Sequence, residues 1–435
     1  MKQRSLQLLM LLALTFRVVT AQAADIEVWN KLKALPGVTQ VDTLASKHYA
    51  NKYVMYIDQL LDPAHPEVGS FKQRVILAHV GYDRPTVLVT EGYDANYAVN
   101  PNYKEELSML LNANLVFVEY RYFGESMPQP CNWAYLTVKN SLVDLHRVNT
   151  TFRNLYSGKW IATGISKGGQ TTMFYRSYYP DDVEVSVPYV APLNQSLEDG
   201  RHEVFLREQV GTAKERKAVE EAQLTLLKRK QALLPMLAAY CKEKGYTFRV
   251  PLEEVFDYCV LEYAFALWQW GMPVANIPSE KDADKVWFDH LIAINAPDYF
   301  SQQSPFPSFN VQAAKELGYY GYDVEPFKAY LSIATAKDYL RRVMLPEELD
   351  DLTFDDTLYR HTVDFLKNED PKMIYIYGEN DPWTASGVTW LEGKKNIHVF
   401  VHPRGSHSTR IATFSEKKQR EIKSLLEDWL DVKLK

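Results

Sequence analysis

The first part of the chain alternates short apolar runs with segments whose apolar residues recur at helical spacing. Two early runs, KYVMYIDQ (52–59) and RVILAHV (74–80), predict antiparallel strands. Helices are predicted over 101–114, 141–156 and 167–179, the second with an N-terminal cap formed by Ser141 and Asp144. Because the strands between these helices are almost continuously apolar, we expect a largely parallel sheet buried on both faces. Those strands are PTVLVTEG (85–92), NLVFVEYR (114–121), KWIATGIS (159–166) and DVEVSVPYVAP (182–192).

The pattern changes after Asn194, where strand signals nearly vanish over a long stretch. A long helix interrupted at Pro235 is predicted over 214–245, followed by helices over 252–271 and around 311–316 and 325–343. Strands resume at KMIYIYG (372–378) and NIHVFVHP (396–403), and an amphipathic helix (415–432) follows. We therefore predict an α/β fold with a mostly parallel central sheet and an inserted helical cap. Its divisions are a leader (1–23), a first core segment (24–194), the cap (195–365) and a second core segment (366–435).

The N-terminal segment MKQRSLQLLMLLALTFRVVTAQAAD has the order of a secretory signal peptide. Two basic residues precede the apolar run Leu6–Leu14, and the small-residue tripeptide AQA ends at Ala23. The run is shorter than the ~20 apolar residues that a membrane-spanning helix needs, and Arg17 follows it. We predict cleavage after Ala23 and export to the periplasm or the medium, with no stable membrane insertion afterwards.

Charge and cysteine content narrow the possible partners. The net charge is −6 and there is no long basic run, so no nucleic-acid partner is expected. An exported protein meets an oxidising compartment, and the cysteine pair predicted to form a disulfide is Cys241–Cys259, with Cys131 free. No Cys/His spacing indicates a metal site. No cofactor is expected, because the serine-hydrolase mechanism considered below needs none. The sequence does not indicate an oligomeric state.

The stretch WIATGISKGGQ (160–170) contains the pattern G-x-S-x-G around Ser166. The pattern alone recurs by chance, but here a buried strand gives way to a helix, which is the setting of a nucleophile elbow. The tight turn excludes bulky neighbours, and Gly164 and Gly168 meet that condition. The start of the helix directs backbone N–H groups and its dipole toward the serine, which favours a developing oxyanion. Ser166 is therefore the candidate nucleophile of a serine hydrolase.

A nucleophilic serine needs a base and an acid, and in this kind of fold the chain order is Ser, acid, His. Asp381 follows the KMIYIYG strand by three residues and is the favoured acid, with Glu379 at the strand end as its competitor. Of the late histidines, His398 lies within a strand and His402 ends it. His407 lies on a loop after a Gly-Ser pair, so we predict His407 as the general base and His402 as the next candidate.

Backbone N–H groups are predicted to hold the negative charge that develops on the substrate carbonyl oxygen. One donor is expected from Lys167, the residue after the nucleophile. The other is expected from the loop that follows the PTVLVTEG strand, where either Gly92 or Tyr93 is the candidate.

Five ordered motifs resemble the bacterial S37 serine peptidases, the PS-10 group, and are more distantly similar to the S28 family of prolyl carboxypeptidase and dipeptidyl peptidase II. They are VEYRYFGESMPQPCNWAYLT, GISKGGQT, VPYVAPLN, YGENDPW and GSHSTR. The resemblance covers most of the mature chain and is weakest in the helical insertion. It implies an α/β-hydrolase core, the triad Ser166, Asp381 and His407, and an exported exopeptidase of a kind that often favours proline next to the cleaved bond. S28 has His at the position of Tyr120, so the fine specificity of S28 is not transferred.

Acidic residues near these motifs are candidates for binding the N-terminal amine of a peptide. Glu119 and Glu125 lie beside Arg121 in EYRYFGES, and Glu91 precedes the oxyanion loop. One interpretation is an ion pair that braces the loop. The other is a carboxylate that binds a free ammonium group, because an unpaired buried ammonium is costly.

The function predicted from the sequence is a secreted serine exopeptidase that acts on peptide substrates. It is expected to release short peptides, tripeptides or tetrapeptides with proline favoured, from peptide N-termini. A carboxylesterase with the same triad is the first alternative, because fold and triad do not fix the leaving group. A non-catalytic binding protein is the second. Four tryptophans either wall a proline pocket or belong to the core: Trp133, Trp268, Trp270 and Trp383.

Overall fold

The computed structural model describes residues 26–349 and 351–434, whose strands form one nine-stranded sheet. The strands are β1 (Val38–Thr43), β2 (Asn51–Leu60), β3 (Ser70–His79), β4 (Thr86–Thr90), β5 (Asn114–Val118), β6 (Trp160–Ile165), β7 (Val185–Tyr189), β8 (Met373–Gly378) and β9 (Ile397–His402). Their order across the sheet is β1-β2-β3-β5-β4-β6-β7-β8-β9. The strands from β4 to β7 are buried on both faces, as their apolar runs predict.

The pairing of the strands confirms the predicted mostly parallel sheet. β2 pairs with β3 in the predicted antiparallel sense, with Tyr53 opposite Leu77. All neighbours from β5 to β9 run parallel to one another. Because parallel strands end at one edge, the loops that follow β4, β5, β6 and β8 meet there.

Helices cover both faces of the sheet. The helices are α1 (26–33), α2 (Asn96–Val99), α3 (Glu106–Leu111), α4 (Val138–Arg153), α5 (Lys167–Tyr178), α6 (Arg201–Val204), α7 (Ala213–Lys228), α8 (Lys230–Lys244), α9 (Leu252–Trp270), α10 (Asp284–Ile294), α11 (Pro307–Gln312), α12 (Thr357–Asn368) and α13 (Glu416–Leu430). Buried side chains of α4, α5 and α12 pack on one face, and those of α3 and α13 pack on the other. This is an α/β-hydrolase fold.

A helical segment lies between β7 and β8, as predicted. Its helices α7, α8, α9 and α10 pack on one another, and their apolar core continues into Tyr120, Phe123 and Trp383 on the loops at the carboxyl edge of the sheet. This core therefore roofs the strand ends. The division of the chain at 24–194, 195–365 and 366–435 stays a prediction.

Three local predictions are wrong. The long helix breaks at Arg229, between α7 and α8, and Pro235 lies inside α8. Helix α4 is capped by Thr137, whose hydroxyl accepts from the Asn140 N–H at 3.1 Å, and not by Ser141 and Asp144. The segment 325–343 has only short turns of 3-10 and π-helix near its two ends, and backbone N–H groups between them, such as that of Ser332, donate to Asp257. Tertiary hydrogen bonds replace the helical ones in that segment.

The predicted disulfide does not form. Cys241 on α8 and Cys259 on α9 are both free and buried, and Cys131 is free and exposed. Burial raises the pKa of the Cys241 thiol to about 11 and that of Cys259 well above its ordinary value. The two buried thiols therefore act as small apolar side chains of the helical core.

The predicted signal peptide (1–23) lies outside the described residues. Within 26–349 and 351–434, no helix combines the length and the apolar character needed to cross a bilayer.

A buried ion pair fixes the loop after β5 to the sheet. The Arg121 guanidinium donates to both carboxylate oxygens of Asp144 at 2.7 and 2.8 Å, and both residues are buried. Its remaining N–H groups donate to the carbonyl oxygens of Leu60, Leu61 and Tyr135. Removing the guanidinium would therefore leave one carboxylate and three carbonyl groups without this donor.

We expect Arg121→Met to lower the free energy of unfolding by about 3–5 kcal/mol, because it leaves Asp144 as an uncompensated buried charge. The matched control is Arg420→Met, whose exposed pair with Glu416 at 3.5 Å should contribute less than about 1 kcal/mol. Urea denaturation followed by fluorescence measures both. Equal midpoints for the two variants would show that the Arg121 pair does not stabilise the fold.

Candidate active site

Ser166 occupies the turn between β6 and α5 in a backbone conformation that side chains rarely adopt. Its φ is 58° and its ψ is −122°, which is a strained region for a residue with a Cβ. Its N–H donates to the carbonyl of Tyr189 at 2.9 Å, and its carbonyl accepts from the Gln170 N–H at 2.8 Å. The strand and the helix thus hold the predicted nucleophile, which is partly buried, on a sharp turn.

The turn is tight enough to require glycine at position 164. A Cβ on Gly164 would overlap the carbonyl of Gly168 and would lie 2.9 Å from the carbonyl oxygen of Thr90. Gly164 is therefore required because the turn leaves no room for a side chain at this position.

The predicted acid and base are hydrogen bonded to each other. The imidazole Nδ1 of His407 lies 2.7 Å from Oδ2 of Asp381. Both residues are buried, and the other carboxylate oxygen of Asp381 accepts from the Trp383 N–H at 3.1 Å. With Nδ1 donating to the carboxylate, Nε2 carries the free lone pair that a general base uses.

The competing residues lie elsewhere. Glu379 is exposed and accepts from the Arg404 N–H at 2.7 Å. The ring of His402 bonds to the carbonyl of Thr413 at 2.8 Å, and His398 packs against Trp429. None of the three shares a cavity with Ser166.

The predicted oxyanion donors surround the start of α5. Gly92 lies so close to this helix that a Cβ there would be 2.7 Å from both the Gly168 nitrogen and the Lys167 Cβ. The Lys167 N–H, at the first position of α5, has no acceptor within the helix. The Tyr93 N–H donates to Oε1 of Glu91 at 3.2 Å, so this donor is shared with a carboxylate.

The side chain of Lys167 ties the Gly92 loop to the helix. It is buried, its Nζ donates to the Gly92 carbonyl at 2.7 Å, and it lies 3.2 Å from the centre of the Tyr120 ring. Burial lowers the pKa of this ammonium well below its ordinary value. The loop and the turn therefore form one packed unit, a role that the sequence did not reveal.

A cavity of about 610 Å³ opens beside Ser166 and His407. The cap contributes most of its wall, with Glu262, Ala266, Gln269 and Trp270 on α9 and Tyr299, Phe309, Tyr319 and Tyr320 beyond it. A smaller recess next to Ser166 is lined by Tyr93, Lys167, Gln170, Pro192, Asn194, Phe309, Gly318 and Trp383. Substrate can therefore contact the reactive serine from a deep, aromatic-walled chamber.

Of the four tryptophans, Trp270 and Trp383 line this cavity. Trp268 lines a separate cavity on the other side of α9. Trp133 stacks on Tyr122 in the loop after β5.

The structure separates the three candidate acids. Glu119 is fully buried, is ion paired with Arg74, and accepts from the Ala95 N–H at 2.8 Å. Glu125 is half exposed and also pairs with Arg74, at 2.7 Å. Only Glu91 lines the cavity, where it accepts from the Tyr97 hydroxyl at 2.6 Å and burial raises its pKa.

One acidic residue of the cavity was missed. Glu262 lies in the middle of α9 and is 4% exposed. Its sequence signal is a single carboxylate within the apolar run VLEYAFALW (260–268). Among the residues described, no group of three or more His, Cys, Asp or Glu side chains could hold a metal ion.

Comparisons with known proteins identify the family of the chain. The family described as PS-10 peptidase S37 matches residues 21–434. A prolyl tri/tetrapeptidyl aminopeptidase from Streptomyces mobaraensis is 28% identical over 425 residues, which cover 95% of this chain and 87% of that enzyme. A lysosomal Pro-X carboxypeptidase from Mus musculus is 29% identical over 34% of this chain and 33% of its own length. A solved proline iminopeptidase from Mycobacterium smegmatis aligns over 90% of this chain and 99% of its own, with a TM-score of 0.39 and 11% identity.

Fold and site together define a serine hydrolase of the α/β-hydrolase class. The chain belongs to the PS-10 peptidase S37 family, which makes it a serine peptidase. The resemblance that the sequence motifs indicate is thereby confirmed.

We expect Gly92→Ala to lower kcat by roughly 10²- to 10³-fold, the loss typical of one oxyanion donor, because the new methyl group pushes the loop away from Lys167. The matched control is Gly200→Ala, where a Cβ meets no atom within 4 Å. Steady-state kinetics on a peptide reporter measure the effect. Unchanged kcat in a folded Gly92→Ala protein would exclude this loop from transition-state stabilisation.

Proposed function

We propose that this peptidase is an exported aminopeptidase that releases tripeptides or tetrapeptides, with proline favoured before the cleaved bond. The observation that carries the proposal is the hydrogen bond of 2.7 Å between Asp381 and His407. His407 lines the same chamber as Ser166, whose backbone is strained. The name of the Streptomyces mobaraensis relative supports the length and the proline preference.

In this mechanism Ser166 Oγ attacks the carbonyl carbon of the scissile bond while His407 Nε2 accepts its proton. Asp381 keeps the imidazole in the tautomer that leaves Nε2 free and stabilises the imidazolium. The imidazolium then protonates the leaving amine, and an acyl-enzyme remains. Water, deprotonated by the same nitrogen, attacks the acyl carbon and releases the short peptide.

The negative oxygen of each tetrahedral intermediate is held by the Lys167 N–H and by a donor from the Gly92–Tyr93 loop. The Tyr93 N–H already donates to the Glu91 carboxylate. It can bind the substrate oxygen only if it shares this hydrogen bond or breaks it. Each such donor contributes about 2.7–4 kcal/mol to transition-state stabilisation.

The recess beside Ser166, with a volume of about 20 Å³, is the candidate contact for the ring of the residue that supplies the scissile carbonyl. Its walls include the rings of Tyr93, Phe309 and Trp383 together with Pro192. Flat aromatic faces favour a compact apolar ring, and a proline side chain has that shape. The roof formed by α9 and its neighbours limits the chamber to short or unfolded chains.

We expect Ser166→Ala to lower kcat/KM by roughly 10⁴- to 10⁶-fold on tripeptide reporters that end in proline. The matched control is Ser424→Ala, an exposed serine on α13 that should leave the rate unchanged. The panel pairs each proline reporter with an alanine reporter and includes a p-nitrophenyl ester.

Two outcomes would contradict the proposal. Turnover of the ester without turnover of any peptide would indicate an esterase with the same triad. Peptide cleavage that survives Ser166→Ala would remove the serine from the mechanism, and equal rates on proline and alanine reporters would remove the proline preference.

Export is the second part of the proposal. We expect the protein secreted by a Gram-negative host to begin at Ala24, because AQA precedes that bond. Intact mass and N-terminal sequencing of the periplasmic and medium fractions measure this. A variant with Ala21→Arg and Ala23→Arg should accumulate uncleaved, and recovery of unmodified full-length chain from the cytoplasm alone would contradict export.

A further inference from the structure

Glu262 is a buried carboxyl group in the wall of the chamber that holds Ser166. It accepts hydrogen bonds from the Tyr320 hydroxyl, at 2.9 and 3.0 Å to its two oxygens, and from the Tyr322 hydroxyl at 2.8 Å. These donors fix the orientation of the carboxyl group while it lines the cavity.

No basic partner balances this group. Among the described residues no Lys, Arg or His forms an ion pair with Glu262, and burial raises its pKa to about 8. Two other buried carboxylates are paired with arginine: Glu119 with Arg74 and Asp144 with Arg121. A buried carboxylate without a counter-ion is costly, so a cation that enters the chamber gains a favourable partner.

The position of Glu262 relative to the base can be read along α9. Glu262, Ala266 and Gln269 all line the cavity, which is the i, i+4, i+7 spacing of one helix face. The Gln269 carbonyl accepts from the His407 N–H at 2.9 Å. Seven residues separate Glu262 from Gln269, and a helix rises about 1.5 Å per residue. Glu262 therefore lies roughly 10 Å from Gln269 along the helix axis.

An extended peptide advances about 3.3 Å per residue, so roughly 10 Å corresponds to three residues. On this spacing, a chain whose terminal ammonium group binds Glu262 would present about its third carbonyl group to the region of His407. Glu91 directly precedes Gly92, which touches Lys167, so we place Glu91 beside the expected oxyanion donors and too close to Ser166 to set this distance. Asp298 also lines the chamber, but it is only partly buried and follows the end of α10.

We propose that Glu262 binds the α-ammonium group of the substrate and thereby fixes the number of residues released at about three. This inference rests on the proposed aminopeptidase function. It assigns the amine-binding role to a cap residue, whereas the sequence suggested Glu91, Glu119 or Glu125.

The test compares Glu262→Gln with Glu253→Gln, which makes the same change on an exposed residue of the same helix. Substrates are reporters with two, three, four or five residues before the cleaved bond, each with a free amine and N-acetylated. The glutamine amide oxygen can still accept from Tyr320 and Tyr322, so the cap should keep its packing. Labelling of Ser166 by a fluorophosphonate confirms that each variant retains a folded site.

For the wild type and Glu253→Gln we expect free-amine tripeptide reporters to be cleaved about 10- to 100-fold faster than their acetylated twins, mainly through KM. For Glu262→Gln, the ratio of the cleavage rate on free-amine reporters to that on acetylated reporters should fall to about one. Reporters with two, three, four or five residues before the bond should then be cleaved at similar rates. The acetylated reporters should be cleaved equally by all three proteins.

Other results would overturn the inference in distinguishable ways. A Glu262→Gln enzyme that still prefers free amines excludes Glu262 as the anchor while leaving the peptidase function intact. Loss of the preference in Glu91→Gln instead would assign the anchor to Glu91. An equal loss on free and acetylated reporters would mean that Glu262 only supports the fold. Failure of the wild type on every peptide would instead contradict the proposed function itself.

Discussion

The close contact between the Gly92 loop and the first turn of α5 is the constraint on which the candidate site depends. Two backbone segments meet there without an intervening side chain, and Lys167 fastens them with its hydrogen bond to the Gly92 carbonyl. The strained Ser166 turn, the expected oxyanion donors and the ring of Tyr93 all take their positions from this contact. A change in the loop after β4 would therefore reach the nucleophile, the donors and the substrate recess together.

Charge is used in two ways inside this protein. In the sheet, buried ions are matched: Arg121 saturates Asp144, and Arg74 joins Glu119 and Glu125. In the chamber, Glu91 accepts from the Tyr97 hydroxyl and the Tyr93 N–H, and Glu262 accepts from tyrosine hydroxyls; among the residues that the structure describes, neither forms an ion pair. The first arrangement makes loops rigid, because each charge already has its counter-ion. In the second arrangement, the carboxylates can still form an ion pair with a positively charged ligand.

The sequence predicts the parts of this architecture that local pattern determines. The buried strands, the turn at Ser166 and the order of Ser166, Asp381 and His407 follow from apolar runs and motif spacing. The fold brings Ser166 and His407 to one cavity, and Asp381 is hydrogen bonded to His407 behind it. What the sequence did not reveal depends on contacts between distant segments. The 325–343 segment gives its N–H groups to Asp257, the two buried cysteines stay apart, and Glu262 reaches the chamber only through the packing of the inserted helices.

The hydrogen bond from the His407 N–H to the Gln269 carbonyl connects α9 of the helical segment to the loop that carries the predicted base. The loop that carries the imidazole is fastened to α9, so a swing of that helix away from the sheet would displace the imidazole from Ser166. Any movement of α9 is therefore expected to change the position of the predicted base as well as the width of the chamber.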